Sequence, residues 1–151
     1  MGRLDAYLEV VREEAPLREQ REWQGDYAEV ELPARDGVLR NQAARCMDCG
    51  VPFCHGSGCP LANRIPDINE LVYRGRWREA AELLHATDNF PEITGRVCPA
   101  LCESACTLGL LGSAVTIRNV ERSVADRAWA EGWVKPLPSP TRTGRKVAVV
   151  G

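Results

Sequence analysis

Apolar positions recur three or four residues apart in five stretches of the chain, and this periodicity predicts five helices. The stretches are residues 5–21, 38–45, 66–75, 77–86 and 115–131. Pro16 is expected to end or kink the first helix, and Gly132 to stop the last. Residues 23–37 have a mixed pattern, for which we expect loop or extended chain.

The pattern changes after the last predicted helix. Three prolines between residues 136 and 140 predict a stiff linker over residues 136–144. Residues 145–151 are a short β-branched run that ends in Gly151, which predicts a buried strand entering a turn. A single strand cannot bury both faces, so we expect the first strand of a truncated dinucleotide-binding domain. Gly151 would be the first glycine of its G-x-G-x-x-G fingerprint, within an FAD-binding site.

Composition narrows the class of protein. The 151 residues suit about one domain, and 44% apolar content is enough for a packed core. A formal net charge of −2 gives no reason to expect nucleic acid or an anionic membrane as a partner. The N-terminus has no long apolar run typical of a signal peptide or membrane span, so we expect a cytoplasmic protein.

Cysteines carry the candidate chemistry, and they form two groups. The groups are Cys46, Cys49, Cys54 and Cys59, then Cys98, Cys102 and Cys106. Structural disulfides are rare in a reducing cytoplasm, and an odd number of cysteines leaves one thiol unpaired. Metal ligation or redox chemistry is therefore the better interpretation.

The spacing within each group favours an iron–sulfur cluster. Cys46-x2-Cys49-x4-Cys54 supplies three thiolates from one irregular, glycine-containing segment, and a [4Fe–4S] cube takes four ligands. Pro99 is placed to begin a helix, in which Cys102 and Cys106 would share a face one turn apart.

Zinc is the main alternative. A structural zinc site commonly uses two C-x2-C pairs or histidines, whereas this chain has one such pair and two histidines, His55 and His85. We expect both histidines to be surface or packing residues. A thioredoxin-like role for Cys46 and Cys49 lacks the preceding strand that this motif requires.

The number of ligands raises a further question, because two cubes need eight ligands and the chain has seven cysteines. Either one cluster has three irons, or one ligand is not cysteine. Glu121 shares a helical face with Ile117, Val124 and Ala128, and a carboxylate on an apolar face is costly unless a cation holds it. The alternative is an exposed i, i+3 pair between Arg118 and Glu121.

Three segments also resemble a known family. Residues 46–55 (CMDCGVPFCH), 59–66 (CPLANRIP) and 87–106 (TDNFPEITGRVCPALCESAC) are similar to the small (β) subunit of bacterial NADPH-dependent glutamate synthase. The resemblance extends over residues 38–151.

This resemblance implies an all-α, alpha-helical ferredoxin-like domain over residues 1–135 that binds two [4Fe–4S] clusters. In relatives the first three cysteines pair with the last. Carried over, one cluster would be held by Cys46, Cys49, Cys54 and Cys106. The other would be held by Cys59, Cys98, Cys102 and Glu121. Dihydropyrimidine dehydrogenase has the same module with glutamine at the last position.

The family's activity is implied in the same way. NADPH reduces FAD in the following domains, and the clusters relay single electrons to the large (α) subunit, where 2-oxoglutarate and glutamine yield glutamate. The chain alone would then be unable to oxidise NADPH. Two alternatives stay open: the same module in a dihydropyrimidine dehydrogenase or ferredoxin:NADP reductase type of flavoprotein, and a zinc-stabilised interaction domain without redox chemistry.

Overall fold

A computed structural model describes residues 5–136, 138, 141 and 143–150, and its regular secondary structure is helical. The α-helices are α1 Ala6–Glu9, α2 Gln20–Trp23, α3 Asp36–Ala44, α4 Ile65–Tyr73, α5 Trp77–His85, α6 Pro91–Val97, α7 Leu101–Ser104 and α8 Ile117–Ala130. A π-helical turn, Cys54–Gly58, precedes α4, and a 3-10 turn, Thr107–Leu110, precedes α8. Among the described residues no strand is formed, and a single bridge joins Leu17 to Glu31.

Helix α8 is the centre of the fold, because α3, α4, α5, α6 and α7 all pack against it. Its apolar stripe of Val120, Val124 and Ala128 is fully buried. This stripe completes the main core with buried residues of α3, α4 and α5: Leu39, Ala43, Ile68, Val72, Trp77, Ala80, Ala81 and Leu84. A second core surrounds the cysteines and is described below.

The predictions for α3, α4, α5 and α8 are confirmed to within a few residues. Their signals are local, since each has an apolar face of helical period. Pro66 occupies the first turn of α4, and Gly132, with φ 66°, follows α8. Helix α6 was not predicted. It is short and begins at Pro91, where the missing N–H costs nothing.

The predicted helix over residues 5–21 is wrong. Only Ala6–Glu9 and Gln20–Trp23 are helical, and Leu8 and Val11 of its apolar face are exposed. The chain between them bonds to a later segment instead, through Arg18 N–H to the Val30 carbonyl and Leu32 N–H to the Pro16 carbonyl. Pro16 lacks the N–H that a continuous helix needs, so pairing with residues 30–32 replaces the helical bonds.

The segment that contains Glu29 and Glu31 is held on α8 by ion pairs. Arg122 is 3% exposed and donates to the Glu29 carboxylate at 2.8 Å, the Glu31 carboxylate at 2.7 Å and the Glu31 carbonyl at 3.0 Å. Arg118 donates to the other oxygen of Glu31 at 2.7 Å. Residues 23–37 are therefore largely irregular, as expected, but fixed by tertiary contacts.

The predicted strand is not formed among the described residues of the C-terminal segment. Residues 143–150 carry no regular secondary structure, and Val147, Val149 and Val150 are exposed. A single extended segment has no neighbouring strand to receive its backbone hydrogen bonds. Gly151 and residues 137, 139, 140 and 142 of the predicted linker lie outside the described residues. No helix in the described part of the chain is long and apolar enough to cross a membrane.

Gly95 permits the close packing of α6 on α8, and this contact gives a test of the fold. A Cβ added at Gly95 would lie 2.7 Å from Arg122 Cβ and 2.8 Å from Arg122 Cα. We expect Gly95→Ala to lower the free energy of unfolding by about 1–3 kcal/mol, because the helices must separate. Urea unfolding measures it. In the control Gly37→Ala, the helical glycine has open space and the change should be neutral or stabilising. Equal stability of the two variants would contradict the packing described.

The Glu31 ion pairs predict a pH-dependent contribution to stability. Burial acts to raise the pKa of Glu31, but Arg118 and Arg122 outweigh burial and hold this pKa below its ordinary value. A carboxyl with a lowered folded pKa stabilises above its unfolded pKa of about 4.3 and loses that effect as pH falls through the folded value. We therefore expect Glu31→Gln to be less stable than wild type at neutral pH, with the difference shrinking below about pH 4.

Urea unfolding at several pH values provides the measurement, and Glu19→Gln provides the control. Glu19 pairs with Arg21 on the open surface, so its removal should change stability little at any pH. A Glu31→Gln difference that is as large in acid as at neutral pH would be evidence against a role for the Glu31 charge.

Candidate metal centre

The first cysteine group follows α3 along an irregular path. Cys46 lies two residues beyond the end of α3, after Arg45, and donates its N–H to the Ala43 carbonyl at 3.1 Å. Cys54 opens the π-helical turn, and Cys59 closes it with an N–H bond to the Cys54 carbonyl at 2.9 Å. Cys54 is buried, whereas Cys49 and Cys59 are half-buried.

The second group lies around the short helix α7. Cys98 follows α6, Cys102 is buried within α7, and Cys106 lies beyond its end. The predicted single helix from Pro99 is therefore wrong, because Ala100 has the left-handed φ of 56° and α7 ends at Ser104. Cys102 and Cys106 do not share a helical face. The break between them directs the two thiols toward different neighbours.

Backbone strain is concentrated in the cysteine segments. Three non-glycine residues have positive φ in the described chain, Asp48, Ala62 and Ala100, and each lies within three residues of a cysteine. Each such conformation costs about 1–3 kcal/mol and persists where the surrounding structure demands it. Gly58 joins the two segments closely, since an added Cβ would lie 2.8 Å from both Ala105 Cβ and Cys102 Cα.

Four thiols form the first site, which we define as Cys46, Cys49, Cys54 and Cys106. Burial raises the pKa of Cys54 to about 12, and electrostatic repulsion from Cys46, Cys106 and Cys49 adds to the shift. Burial likewise raises the pKa of Cys46 to about 11, with Cys106 and Cys49 contributing in the same direction. The sulfurs of Cys49 and Cys106 thus lie close enough to Cys46 and Cys54 to affect the ionisation of these two thiols.

The second site is the corresponding group Cys59, Cys98, Cys102 and Glu121. Burial raises the pKa of Cys102 well above its ordinary value, and the negative charges of Glu121, Glu103, Cys59 and Cys98 raise it further. The electrostatic neighbours of Cys102 therefore include the other three members of the second site.

Glu121 is half-buried on α8, and in the described part of the chain no Lys, Arg or His side chain forms an ion pair with it. Burial raises the pKa of its carboxyl to about 7, and Asp88 and Glu103 act in the same direction. The alternative pair with Arg118 is not formed, because Arg118 bonds to Glu31 and to the Gly95 and Arg96 carbonyls. Glu121 thus lies beside Cys102 without a cation to neutralise it, which is what we expect of a carboxylate that binds a metal.

Asn63 holds the Glu121 carboxylate, a role that no sequence pattern indicates. It is 2% exposed and donates from Nδ2 to Glu121 Oε1 at 2.9 Å. Its Oδ1 accepts from the Thr87 hydroxyl at 2.7 Å, and its backbone carbonyl lies 2.9 Å from His55 Nδ1. His55, expected as a surface or packing residue, therefore helps to fix the loop that positions Glu121.

Glu103 connects the segment of Cys102 to α8 and to the N-terminus. Its Oε1 accepts from the Arg118 N–H at 2.9 Å, within the first turn of α8, and its Oε2 accepts from Arg12 at 2.6 Å. A carboxylate at a helix N-terminus satisfies a free N–H and interacts favourably with the helix dipole. This cap comes from a distant residue, so no local sequence pattern marks it.

The two sites share an apolar wall. Cys54 and Cys102 are buried together with Ile65, Leu108, Val115 and Ile117. All seven cysteines are free thiols. No group of three His, Cys, Asp or Glu side chains in the described chain is arranged around a single metal ion. The ligands of a four-iron cube each bind a different iron, so they stand farther apart than the ligands of one ion.

The donor chemistry of the two sites fits iron–sulfur clusters. Thiolates are the usual ligands, and buried N–H groups beside them stabilise the charge of a cluster. Two such groups, Arg45 Nε and Asn69 Nδ2, are buried without a hydrogen-bond partner within the described chain. Asn69 lies near Cys46, whose pKa it acts to lower against the larger effect of burial.

Comparison with known proteins agrees with this chemistry. Residues 23–133 match the family described as dihydropyrimidine dehydrogenase domain II, 4Fe–4S cluster. The matched range contains all seven cysteines and Glu121. The chain belongs to this 4Fe–4S family. An iron–sulfur function was predicted from the cysteine spacing, and family membership confirms that expectation at the level of the domain.

Relatives of the chain carry glutamate synthase names. The glutamate synthase [NADPH] small chain of Mycobacterium tuberculosis (strain H37Rv) is 55% identical over 140 residues, which are 93% of this chain and 28% of that protein. That of Bacillus subtilis is 46% identical over 159 residues, covering 100% of this chain and 32% of that protein. The glutamate synthase [NADH] of Schizosaccharomyces pombe is 47% identical over 152 residues, 100% of this chain and 7% of that protein. The predicted resemblance is confirmed. The chain spans less than a third of these small chains.

The Glu103 cap predicts an unequal effect of two glutamate substitutions. Glu103→Ala should lower the free energy of unfolding by about 1–2 kcal/mol, because the N–H of Arg118 and the Arg12 guanidinium lose their shared acceptor. Glu79→Ala is the control, since Glu79 pairs with Arg76 on an exposed surface, where such pairs contribute little to stability. Urea unfolding of both variants checks this. The assigned role of Glu103 is wrong if its removal costs no more than that of Glu79.

Proposed function

We propose that this chain is the electron-transfer segment of a glutamate synthase small chain and binds two [4Fe–4S] clusters. The first site, Cys46, Cys49, Cys54 and Cys106, holds one cluster. The second site, Cys59, Cys98, Cys102 and Glu121, holds the other. The single observation that carries the proposal is the separation of eight donor groups into two sets of four, each centred on a buried thiol.

The residues of the chain prepare both sites for such a group. Burial makes Cys54, Cys102 and Glu121 difficult to ionise, so binding of iron must supply the charge that stabilises their ionised forms. A bound cluster accepts one electron and passes it on. Ile65, Leu108 and Ile117 exclude water beside the ligands, and Asn63 orients the Glu121 carboxylate.

The greater length of the relatives supports the proposal that this segment is part of a larger enzyme. We propose that residues 1–135 form the helical cluster domain and residues 136–144 a linker. Residues 145–151 would be the first strand of an FAD-binding domain, with Gly151 at its cofactor. Electrons from NADPH would then pass through FAD and the two clusters to the large subunit, in a reducing cytoplasm. Glutamate at position 121, together with the relatives, favours a glutamate synthase over a dihydropyrimidine dehydrogenase.

Metal analysis after anaerobic isolation tests the cluster proposal. We expect about eight irons and eight sulfides per chain, from two four-iron clusters. A colourless protein with stoichiometric zinc, and no iron after anaerobic reconstitution, would contradict the proposal and support a zinc-stabilised interaction domain. A three-iron EPR signal in the native chain under strict anaerobiosis would instead show that one of the two clusters has three irons, not four.

Glu121→Ala tests the eighth ligand. Loss of this carboxylate should reduce the iron content or convert the second cluster to a three-iron form, because a cube with three protein ligands releases iron more readily. EPR and iron analysis measure the change, while circular dichroism shows that the helices persist. Glu82→Ala, at an exposed position of α5, is the control and should retain all the iron. Unchanged iron, stability and spectra in Glu121→Ala would show that Glu121 is not a ligand.

A further inference from the structure

The two sites differ in the charge that surrounds them, and this difference bears on where an electron rests. The reduction potential of an iron–sulfur cluster depends on its net charge, on hydrogen bonds to its sulfurs and on solvent exposure. Nearby positive charge and N–H donors favour the reduced cluster, because reduction adds one negative charge. Nearby carboxylates have the opposite effect.

Arg45 places an uncompensated positive charge beside the first site. It immediately precedes Cys46, is 3% exposed, and interacts electrostatically with Cys106. Its guanidinium donates to the Ala114 carbonyl at 2.8 Å and to the Ser113 carbonyl and hydroxyl at 2.7 and 3.0 Å. These acceptors are neutral, and no carboxylate pairs with Arg45 in the part of the chain that the structure describes. Its buried Nε has no partner there either.

Asn69 adds a neutral donor to the same site. The residue is on α4, 1% exposed, with a buried Nδ2 that has no hydrogen-bond partner among the described residues. Its amide lies close to the Cys46 sulfur, and the backbone N–H groups of Asp48 and His55 act in the same sense on Cys46 and Cys54. The first site thus has several N–H groups directed at its sulfurs.

The second site has a negative environment. Its proposed ligand Glu121 carries the same charge as a thiolate, so both ligand sets have four negative charges, but Glu103 is an additional negative neighbour of Cys102. Asp88 is 3% exposed and interacts with the Glu121 carboxyl. Arg12 pairs with Glu103 at 2.6 Å and offsets part of its charge, but Arg12 also pairs with Glu14. On balance the acidic groups outnumber the cations at the second site.

We propose that Arg45 and Asn69 give the cluster of the first site the higher reduction potential, so that the first electron entering the chain rests there. This inference depends on the proposed function, because it requires a cluster at each site. The step is a one-electron reduction supplied by an external one-electron donor, and no bond forms or breaks in the protein. Arg45 and Asn69 are positioning residues that act on the cluster through its ligands.

Potentiometric titration of the anaerobically isolated chain with dithionite, followed by EPR, tests this proposal. Arg45→Gln and Asn69→Leu should each shift the midpoint potential of the first-reduced cluster to more negative values and leave the other unchanged. Arg45→Lys should restore most of the wild-type value, since it keeps the charge. Glu103→Gln is the matched variant at the other site, where it should shift only the second-reduced cluster, to a more positive potential.

A substitution in the second site assigns each EPR signal to its site, even where Arg45→Gln and Asn69→Leu fail to fold. Glu121→Gln changes the second site alone, so it should alter the signal that appears late in the titration and leave the first signal intact. The proposal is overturned where Glu121→Gln alters the first signal instead. It is also overturned where Arg45→Gln or Asn69→Leu, with full iron, leaves both potentials unchanged or shifts them equally. Absence of two iron–sulfur signals in the wild-type chain would contradict the proposed function itself, and iron analysis separates that outcome from the others.

Discussion

Burial of ionisable thiols and a carboxyl in an apolar pocket is the constraint on which the rest of the structure depends. Cys46, Cys54, Cys102 and Glu121 all have raised pKa values, and burial is the largest cause in each case. Collecting such groups costs free energy unless a cationic centre stabilises their ionised forms. The short connections, the strained backbone and the close packing near the cysteines all serve to hold these groups in place.

Helix α8 connects this pocket to the main core. One part of it completes the main core through Val120, Val124 and Ala128, and its first turn is capped by Glu103 from the segment of Cys102. Glu121 lies between these features. The same helix binds the N-terminal segment through Arg118 and Arg122. A displacement of α8 would therefore disturb both the core and the second site, which couples the stability of the fold to the geometry of the ligands.

The two sites differ more in the polar residues that surround them than in the cysteines and the glutamate that form them. Arg45 and Asn69 are buried beside the first site with unpartnered N–H groups, whereas Glu103 and Asp88 lie near the second. Buried donors without partners are uncommon in native structures and call for a physical explanation. Charge that is fixed in a low-dielectric interior acts strongly on any neighbouring charge, so these residues are suited to tune chemistry that the ligands alone do not determine.

The sequence by itself determined the helices whose apolar period is local, α3, α4, α5 and α8, and the residue types that carry the chemistry. Cysteine spacing indicated iron and sulfur, and the shared face of Ile117, Glu121 and Val124 indicated an unusual carboxylate. Family resemblance added the division of the ligands into two sets. Local patterns failed where long-range contacts compete with them, as in residues 5–21, where the chain pairs with residues 30–32 in place of a continuous helix.

Only the tertiary structure decided how distant groups meet. The end of α7 at Ser104 separates Cys102 from Cys106, which have different neighbours, and Asn63 reaches Glu121 across 58 positions of sequence. Arg45, Asn69 and Glu103 acquire their roles from burial and from partners far along the chain. The physical reason is that burial and electrostatic interaction depend on distance in space, which periodicity and spacing along the sequence do not specify.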